Sequence, residues 1–142
     1  MKIVYTTRAT ADHGGRGTGT TATEDGKVAV KLSTPKAMGG DDGPGTNPEQ
    51  LFAMGYAACF LGAMKAAARK AGKTLPEEAT VTASVSFADR EDNVGFTMVP
   101  KLTARVPGWE KADVEATMKA AHDICPISDL IRHAHEVELI AG

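Results

Sequence analysis

Residues 46–60 read Thr46-Asn47-Pro48-Glu49-Gln50-Leu51-Phe52-Ala53-Met54-Gly55-Tyr56-Ala57-Ala58-Cys59-Phe60, and this stretch predicts the start of a long apolar helix carrying one cysteine. Asn47 suits the N-cap, Pro48 suits the first helical position, and Gln50 stands where a capping-box side chain reaches back to the cap. The pattern continues to about Lys70, with Gly72 a suitable terminator. We therefore expect a helix of about 24 residues and about 36 Å that crosses most of the domain.

The segments on either side of this helix are typical of strands. Several alternate apolar with polar residues or are rich in β-branched and aromatic side chains, and Asp25-Gly26 predicts a hairpin turn. Pro100 predicts either a bulge or an edge position in its strand. The predicted strands are residues 3–8, 18–23, 27–33, 79–87, 94–106 and 137–140.

Two shorter helices are predicted in the C-terminal half, over residues 109–124 and 126–134. The first places Val114, Met118, Ala121 and Cys125 on one stripe, and Pro126 interrupts it. The order βββ, long α, ββ, α, short α, β predicts a single α+β domain over residues 1–142, with antiparallel sheet packed against an apolar helix.

The composition is that of an ordinary soluble globular protein, with 42% hydrophobic and 24% charged residues and a formal net charge of −2. No run of like charge points to nucleic acid or to an anionic membrane surface. Residues 51–64 carry no charge, but this stretch is shorter than the roughly 20 residues that span a bilayer, so we expect a core helix. The first residues have no signal-peptide pattern, and we therefore expect a cytoplasmic protein with no membrane partner.

The two cysteines are either inert core thiols or a redox pair in a reducing compartment. Cys59 lies among small residues of the long helix, where burial makes a thiol less acidic unless a cation lies nearby. Cys125 is the expected N-cap of the short helix, where the helix dipole and free N–H groups favour a thiolate, or else it fills a gap at a kink. Two such thiols that meet in space can act as a peroxidatic and a resolving cysteine.

Two charged residues have both a structural and a chemical interpretation. Arg16 stands between glycines, either as a solvated arginine or as a cation that a turn delivers to a buried thiolate. Glu49 either complements the dipole of the long helix or orients an arginine through a bidentate pair.

The aromatic residues and the histidines indicate no further site. Tyr56 and Trp109 are interpreted as packing residues. The spacing of His122, His133 and His135 is a weak match to zinc ligands, because the last two straddle a predicted junction between helix and strand. We therefore expect no metal site.

Four stretches agree in order and spacing with one known family. Besides residues 46–60 they are Gly14-Gly15-Arg16, Lys31-Leu32-Ser33-Thr34-Pro35, and Ala121-His122-Asp123-Ile124-Cys125-Pro126-Ile127-Ser128. With them the chain resembles the organic hydroperoxide resistance proteins (Ohr) of the Ohr/OsmC superfamily over essentially its whole length. It departs at Ile127, where a tyrosine is common, and at residues 132–135, which replace a glycine-containing segment.

The resemblance implies a thiol-dependent peroxidase that reduces organic hydroperoxides, including those of fatty acids, to alcohols. It implies that Cys59 is the peroxidatic nucleophile and Cys125 the resolving thiol, joined after oxidation by an intramolecular disulfide. Arg16 would hold the thiolate and polarise the peroxide, and Glu49 would orient Arg16. No bound cofactor is implied, and the external reductant would be dihydrolipoamide or a lipoylated protein.

The resemblance further implies an intertwined homodimer, with antiparallel sheets wrapped around a long buried central helix. Glu49 and Cys59 would lie about 15 Å apart along one continuous helix, which no single side chain bridges. If both serve one site, either the helix starts later or the two residues come from different subunits. Two alternatives stay open: an OsmC-like osmotically inducible peroxidase, and a redox-sensing or ligand-binding dimer whose cysteines do not turn over.

Overall fold

The computed structural model describes residues 1–142. Contacts within the chain divide it into two compact units, Met1–Leu51 and Phe52–Gly142, which are described in turn. The prediction of a single domain over residues 1–142 stays a prediction. The long helix begins at the end of the first unit and continues through the start of the second.

The first unit contains a three-stranded antiparallel sheet in the order β1-β2-β3. Its strands are β1 (Ala9–Asp12), β2 (Thr20–Thr23) and β3 (Ala29–Lys31). The Gly26 N–H bonds to the Thr23 carbonyl, so the hairpin turn predicted at Asp25-Gly26 is confirmed. Two short 3-10 turns, Gly15–Gly17 and Lys36–Met38, lie in the loops.

Helix α1 (Pro48–Lys70) has the bounds that the sequence predicts. The Asn47 side-chain oxygen accepts the Gln50 N–H at 2.8 Å, which confirms the N-cap. The other half of the predicted capping box is wrong, because the Gln50 side-chain oxygen accepts the Thr46 hydroxyl at 2.7 Å instead of reaching the cap's own N–H.

The C-terminal end of α1 depends on Gly72. This glycine has φ +73°, a backbone conformation that disfavours residues with a Cβ. The Lys73 N–H bonds to the Ala68 carbonyl at 2.9 Å and the Gly72 N–H to the Arg69 carbonyl at 3.0 Å. This is a Schellman ending, and it satisfies carbonyls that the helix leaves unpaired.

Within the second unit, α1 has one buried and one exposed face. The buried positions are Tyr56, Phe60, Ala63, Met64, Ala67 and Ala68. The exposed positions include Met54, Gly55, Ala58, Gly62, Lys65 and Arg69. By length and composition α1 could cross a membrane, with 28% of its most apolar window buried, but the core helices of soluble proteins meet the same criteria.

The second unit also contains a long antiparallel hairpin of β4 (Thr80–Asp89) and β5 (Phe96–Arg105). Val81, Ala83 and Val85 share one half-buried face, as their alternation predicts. Pro100 faces Val85 in an unbroken register, so the alternative of a bulge is wrong. The edge position is correct, because a strand in a two-stranded sheet always has a free edge.

Helices α2 (Lys111–Ile124) and α3 (Pro126–His133) complete the second unit. Helix α2 starts two residues later than predicted, at Lys111 instead of Trp109, because Glu110 is its N-cap. The predicted stripe is confirmed: Ala121 and Cys125 are buried, and Val114 and Met118 pack against the same core.

The two terminal strands that the sequence predicts are not formed. Residues 3–8 precede β1 without regular structure, and residues 137–140 have none either. Their apolar side chains are almost fully exposed, with Val4 at 91% and Leu139 at 90%. A strand persists only when its backbone groups find a partner. In these two segments only the Arg8 carbonyl does so, accepting the Glu24 N–H at 2.9 Å, and neither segment belongs to a sheet. The remaining elements confirm the α+β fold with antiparallel sheets and a long central helix.

Candidate active site

The structure brings the two cysteines of the second unit into contact. Cys59 lies in the middle of α1 and Cys125 lies between α2 and α3, and their sulfur atoms are 3.3 Å apart. Both are free thiols. Because a disulfide has a sulfur separation of about 2.05 Å, a shift of little more than an ångström would join them.

Cys125 is placed by the break between the two helices that flank it. Its N–H bonds to the Ala121 carbonyl and ends α2, while its own carbonyl accepts the Asp129 N–H and begins α3. Pro126 occupies the first position of α3, where its missing N–H costs nothing. Cys125 is therefore the N-cap residue, as the sequence predicts.

The two thiols differ in acidity and in exposure. Burial raises the pKa of Cys59, and the neighbouring Cys125 raises it further, against the opposing effect of the Ile127 N–H. Burial also acts to raise the pKa of Cys125, but the Ser128 N–H, the Cys59 thiol and the Ser128 hydroxyl outweigh it, so the pKa is lowered. Cys125 is fully buried, whereas Cys59 is only half-buried. The more acidic thiol is thus the less accessible one.

The first unit contains a bidentate ion pair between Arg16 and Glu49. The two guanidinium nitrogens donate to the two carboxylate oxygens at 2.7 and 3.1 Å. This is the bidentate pair predicted as the chemical alternative for Glu49, whereas the delivery of Arg16 to a buried thiolate stays a prediction. The Arg16 guanidinium lowers the pKa of Glu49, although burial of the carboxyl opposes it. The pair is accordingly ionised at neutral pH.

A glycine-containing turn positions Arg16 for this pair. It lies in the 3-10 turn Gly15–Gly17, which follows Gly14 at φ +90°. Such a backbone conformation is readily available to glycine alone. Glu49 lies in the first turn of α1, where the helix dipole also favours a carboxylate.

The histidines form no metal centre. No group of three or more His, Cys, Asp or Glu side chains is arranged to hold a metal ion. His133 contacts the Asp129 carboxylate at 2.8 Å, and His135 contacts its other oxygen at 3.5 Å. These residues form a local polar cluster at the end of α3.

A hydroxyl pair beside the cysteines is not among the residues predicted from the sequence. Tyr56 packs in a tilted arrangement against Phe52 and edge-to-face against Phe60, which confirms its packing role. Its hydroxyl also lies 2.9 Å from the Ser128 hydroxyl. Tyr56 precedes Cys59 by three residues, and Ser128 follows Cys125 by three. That matched spacing on two helices is a signal from which the pair could have been predicted.

The position of Ile127 explains why its departure from the family pattern leaves the thiols in place. It acts on both cysteines through its backbone N–H, which lowers the pKa of each. Any residue other than proline supplies that N–H. The side chain packs against the core of the second unit.

Comparison with known proteins assigns the chain to a family. The model of the family described as OsmC-like protein matches residues 39–140. The organic hydroperoxide resistance protein of Xanthomonas axonopodis pv. citri is 45% identical over 138 residues, covering 97% of this chain and 94% of the relative.

Solved structures agree. A crystal structure of an organic hydroperoxide resistance protein OsmC from Legionella pneumophila matches with a TM-score of 0.83 and 41% identity, covering 93% of each chain. Another, from Vibrio cholerae, is assigned to an organic hydroperoxide resistance protein with captopril bound in one of the active sites. It matches with a TM-score of 0.81 and 41% identity, covering 94% of this chain and 88% of that one.

Together, the mixed fold and the family match define the class as OsmC-like. The chain belongs to that family and, within it, to the organic hydroperoxide resistance proteins.

Proposed function

We propose that the protein is a thiol-dependent peroxidase that reduces organic hydroperoxides to alcohols. The observation that carries the proposal is the contact between Cys59 and Cys125, 3.3 Å apart, with one thiol accessible and the other buried. An oxidant reaches the accessible sulfur first, and the buried sulfur is already in place to resolve the product. The names of the relatives support an organic hydroperoxide as the substrate.

The reaction has three steps in this proposal. The Cys59 thiolate attacks the distal oxygen of ROOH, the O–O bond breaks, and the departing alkoxide is protonated to ROH. Cys125 then attacks the sulfur of the Cys59 sulfenic acid, which forms the disulfide and releases water. A dithiol finally reduces the disulfide by exchange, and the resemblance makes dihydrolipoamide or a lipoylated protein that reductant.

Cys59 needs a cation to act as the nucleophile, because its surroundings raise its pKa. The Arg16–Glu49 pair can supply this cation. Glu49 orients the Arg16 guanidinium, which stabilises both the thiolate and the developing negative charge on oxygen. Since α1 runs unbroken from Pro48, Glu49 and Cys59 are about 15 Å apart along its axis. Because α1 starts at Pro48, the alternative that the helix starts later is excluded. We propose that the pair from one subunit serves Cys59 of the other.

A homodimer is supported by the surfaces of the chain. The exposed face of α1 carries Met54, Ala58 and Gly62, which suit close packing against a second helix. Residues 3–8 and 137–140 have strand-forming sequences but no partner strand within the chain. A symmetric dimer would cover the helix face and supply edges for these segments.

The substrate preference and the location follow from the same residues. Apolar side chains on α1, such as Leu51, Phe52 and Met54, would favour organic peroxides over hydrogen peroxide. The bond that breaks is the same in every alkyl hydroperoxide, so fatty-acid hydroperoxides belong to the proposed class. A thiol pair that cycles between dithiol and disulfide requires a reducing compartment, which supports a cytoplasmic location.

A single-turnover experiment tests this assignment. Reduced protein mixed with one equivalent of cumene hydroperoxide is expected to consume it and to lose two hydrogens in mass as the disulfide forms. Cys125→Ser should consume the same equivalent but stop at the sulfenic acid, which dimedone traps, whereas Cys59→Ser should consume none. Equal consumption by Cys59→Ser and the wild-type protein would contradict the assignment of Cys59.

A further inference from the structure

A buried hydrogen bond joins the hydroxyls of Tyr56 and Ser128 next to the cysteine pair. The oxygen atoms are 2.9 Å apart. Tyr56 is 3% exposed and Ser128 is fully buried. Burying two hydroxyls is no more favourable than burying an apolar pair of the same shape, so stability alone gives little reason for polar groups here.

The hydroxyl pair and the thiol pair join the same two parts of the chain. Tyr56 and Cys59 lie three residues apart on α1, which places their side chains on neighbouring positions of one face. Ser128 is the third residue of α3, and Cys125 is its N-cap. Ser128 and Cys125 are therefore three residues apart, as Tyr56 and Cys59 are on α1.

We propose that Tyr56 and Ser128 are positioning residues for the resolving cysteine: Tyr56 donates to the Ser128 oxygen, and this bond between α1 and the start of α3 holds the Cys125 sulfur against Cys59. The part of this inference that concerns the resolving step rests on the proposed function. The arrangement of hydroxyls around Cys125 does not depend on it. Both residues act through Cys125, and neither contacts the peroxide in this account.

The acidity of Cys125 supports this arrangement. Burial by itself would raise the pKa of this thiol, and the Ser128 hydroxyl is among the groups that together lower it instead. A hydroxyl that accepts one hydrogen bond becomes a better donor in the next, because hydrogen bonds in a chain polarise one another. Tyr56 therefore acts on the Cys125 sulfur through Ser128.

The resolving step uses the acidity that the pair provides. Cys125 must reach the Cys59 sulfenic acid as a thiolate, since the thiolate is the nucleophile in thiol exchange. The new S–S bond forms as the S–O bond of Cys59 breaks, and the hydroxide that leaves takes up the proton lost by Cys125, giving water. The sulfenic sulfur is reduced and the Cys125 sulfur is oxidised, so no external oxidant or reductant enters this step.

The first test measures the thiol alone and needs no peroxide. In a Cys59→Ser background Cys125 is the only cysteine, and its thiolate can be followed by ultraviolet absorbance as the pH is raised. Ser128→Ala should raise the pKa of Cys125 by about one unit, the size expected for losing a hydrogen bond to an anion. Tyr56→Phe should raise it by a smaller amount. Ser86→Ala, which removes an exposed hydroxyl on β4, is the matched control and should leave it unchanged.

The second test follows disulfide formation in protein with both cysteines. After one equivalent of cumene hydroperoxide, Ser128→Ala and Tyr56→Phe should oxidise Cys59 at the wild-type rate. Closure to the disulfide should then be about threefold to tenfold slower, as the thiolate fraction falls with the higher pKa. Rapid quenching and mass measurement separate the two rates.

The outcomes distinguish this inference from the proposed function. If the wild-type protein consumes no peroxide but the Cys125 titration shifts as expected, the peroxidase assignment fails and the positioning of Cys125 stands. If both variants fold, as judged by circular dichroism, and leave the titration and the closure rate unchanged, the hydroxyl pair is packing alone and the inference is wrong. Tyr56→Phe keeps the shape of the ring, so it remains a test if Ser128→Ala does not fold.

Discussion

At the residue scale, chemistry depends on which of two similar thiols is accessible. The N-cap position of Cys125 predicts the more acidic thiol from sequence, and its lowered pKa agrees. The exposure that distinguishes Cys59 comes from packing, which neighbouring residues in the sequence do not reveal. The Tyr56–Ser128 contact has a sequence signal in its spacing from the two cysteines, but a tyrosine in an apolar helix is already explained by its ring alone.

The Arg16–Glu49 pair should contribute stability in a pH-dependent way. In the folded protein the pair lowers the pKa of Glu49. The stabilisation is therefore fully present above the pKa of Glu49 in the unfolded chain, near 4.3, and is lost as the pH falls through its pKa in the folded protein. In urea denaturation from about pH 7 to about pH 3, the free energy of unfolding of the wild-type protein should exceed that of Glu49→Gln by a constant amount at the upper end. The difference should shrink below about pH 4.3.

Glu24→Gln is the control for this prediction. Glu24 pairs with Arg8 at 3.3 Å, but both side chains are largely exposed, and such pairs contribute little. Its removal should leave the curve near that of the wild-type protein. A Glu49→Gln protein whose unfolding free energy runs parallel to the wild type down to the lowest pH would show that the Glu49 carboxyl keeps an ordinary pKa.

At the element scale, local sequence signals predict the positions of most helices and strands. Asn47, Pro48 and Gly72 predict both ends of α1, because caps and terminators act within a few residues. Pro126 likewise predicts the break between α2 and α3. The terminal strands could not be placed this way, since a strand depends on a distant partner for its hydrogen bonds.

The N-cap of α1 offers a test at this scale. Asn47→Ala removes the acceptor for the Gln50 N–H and should lower the free energy of unfolding by about 1 kcal/mol, measured by urea denaturation. Asn47→Asp keeps the acceptor and adds a charge that the helix dipole favours, so it should retain most of the stability. Equal losses in both variants would mean that Asn47 acts through packing and not as a cap.

At the scale of the whole molecule, a single chain leaves apolar surface exposed that its own contacts do not cover. The helix face with Met54, Ala58 and Gly62, and the terminal segments at residues 3–8 and 137–140, are apolar and uncovered. The sequence predicts these segments as strands, which agrees with their composition but not with the isolated chain. Assembly is a property of two copies, so neither local pattern nor one chain's contacts can fix it.

The proposed dimer makes a direct prediction. The wild-type protein should sediment as a dimer at micromolar concentration, and Ala58→Lys, which places a charge on the exposed face of α1, should shift it toward monomer. Peroxidase activity should fall with it, because each site would lose the Arg16–Glu49 pair of the other subunit. Thr82→Lys, on an exposed position of β4, is the control and should remain dimeric. A wild-type protein that is monomeric and fully active would contradict the shared site.

Steady-state consumption of cumene hydroperoxide in the presence of dihydrolipoamide tests the claim that Cys59 turns over organic hydroperoxides with a dithiol reductant. The wild-type protein is expected to consume many equivalents per subunit, while Cys59→Ser should consume no more than the buffer. Consumption that stops after one equivalent despite excess dihydrolipoamide would contradict the claim and favour a redox sensor. So would continued turnover by Cys59→Ser.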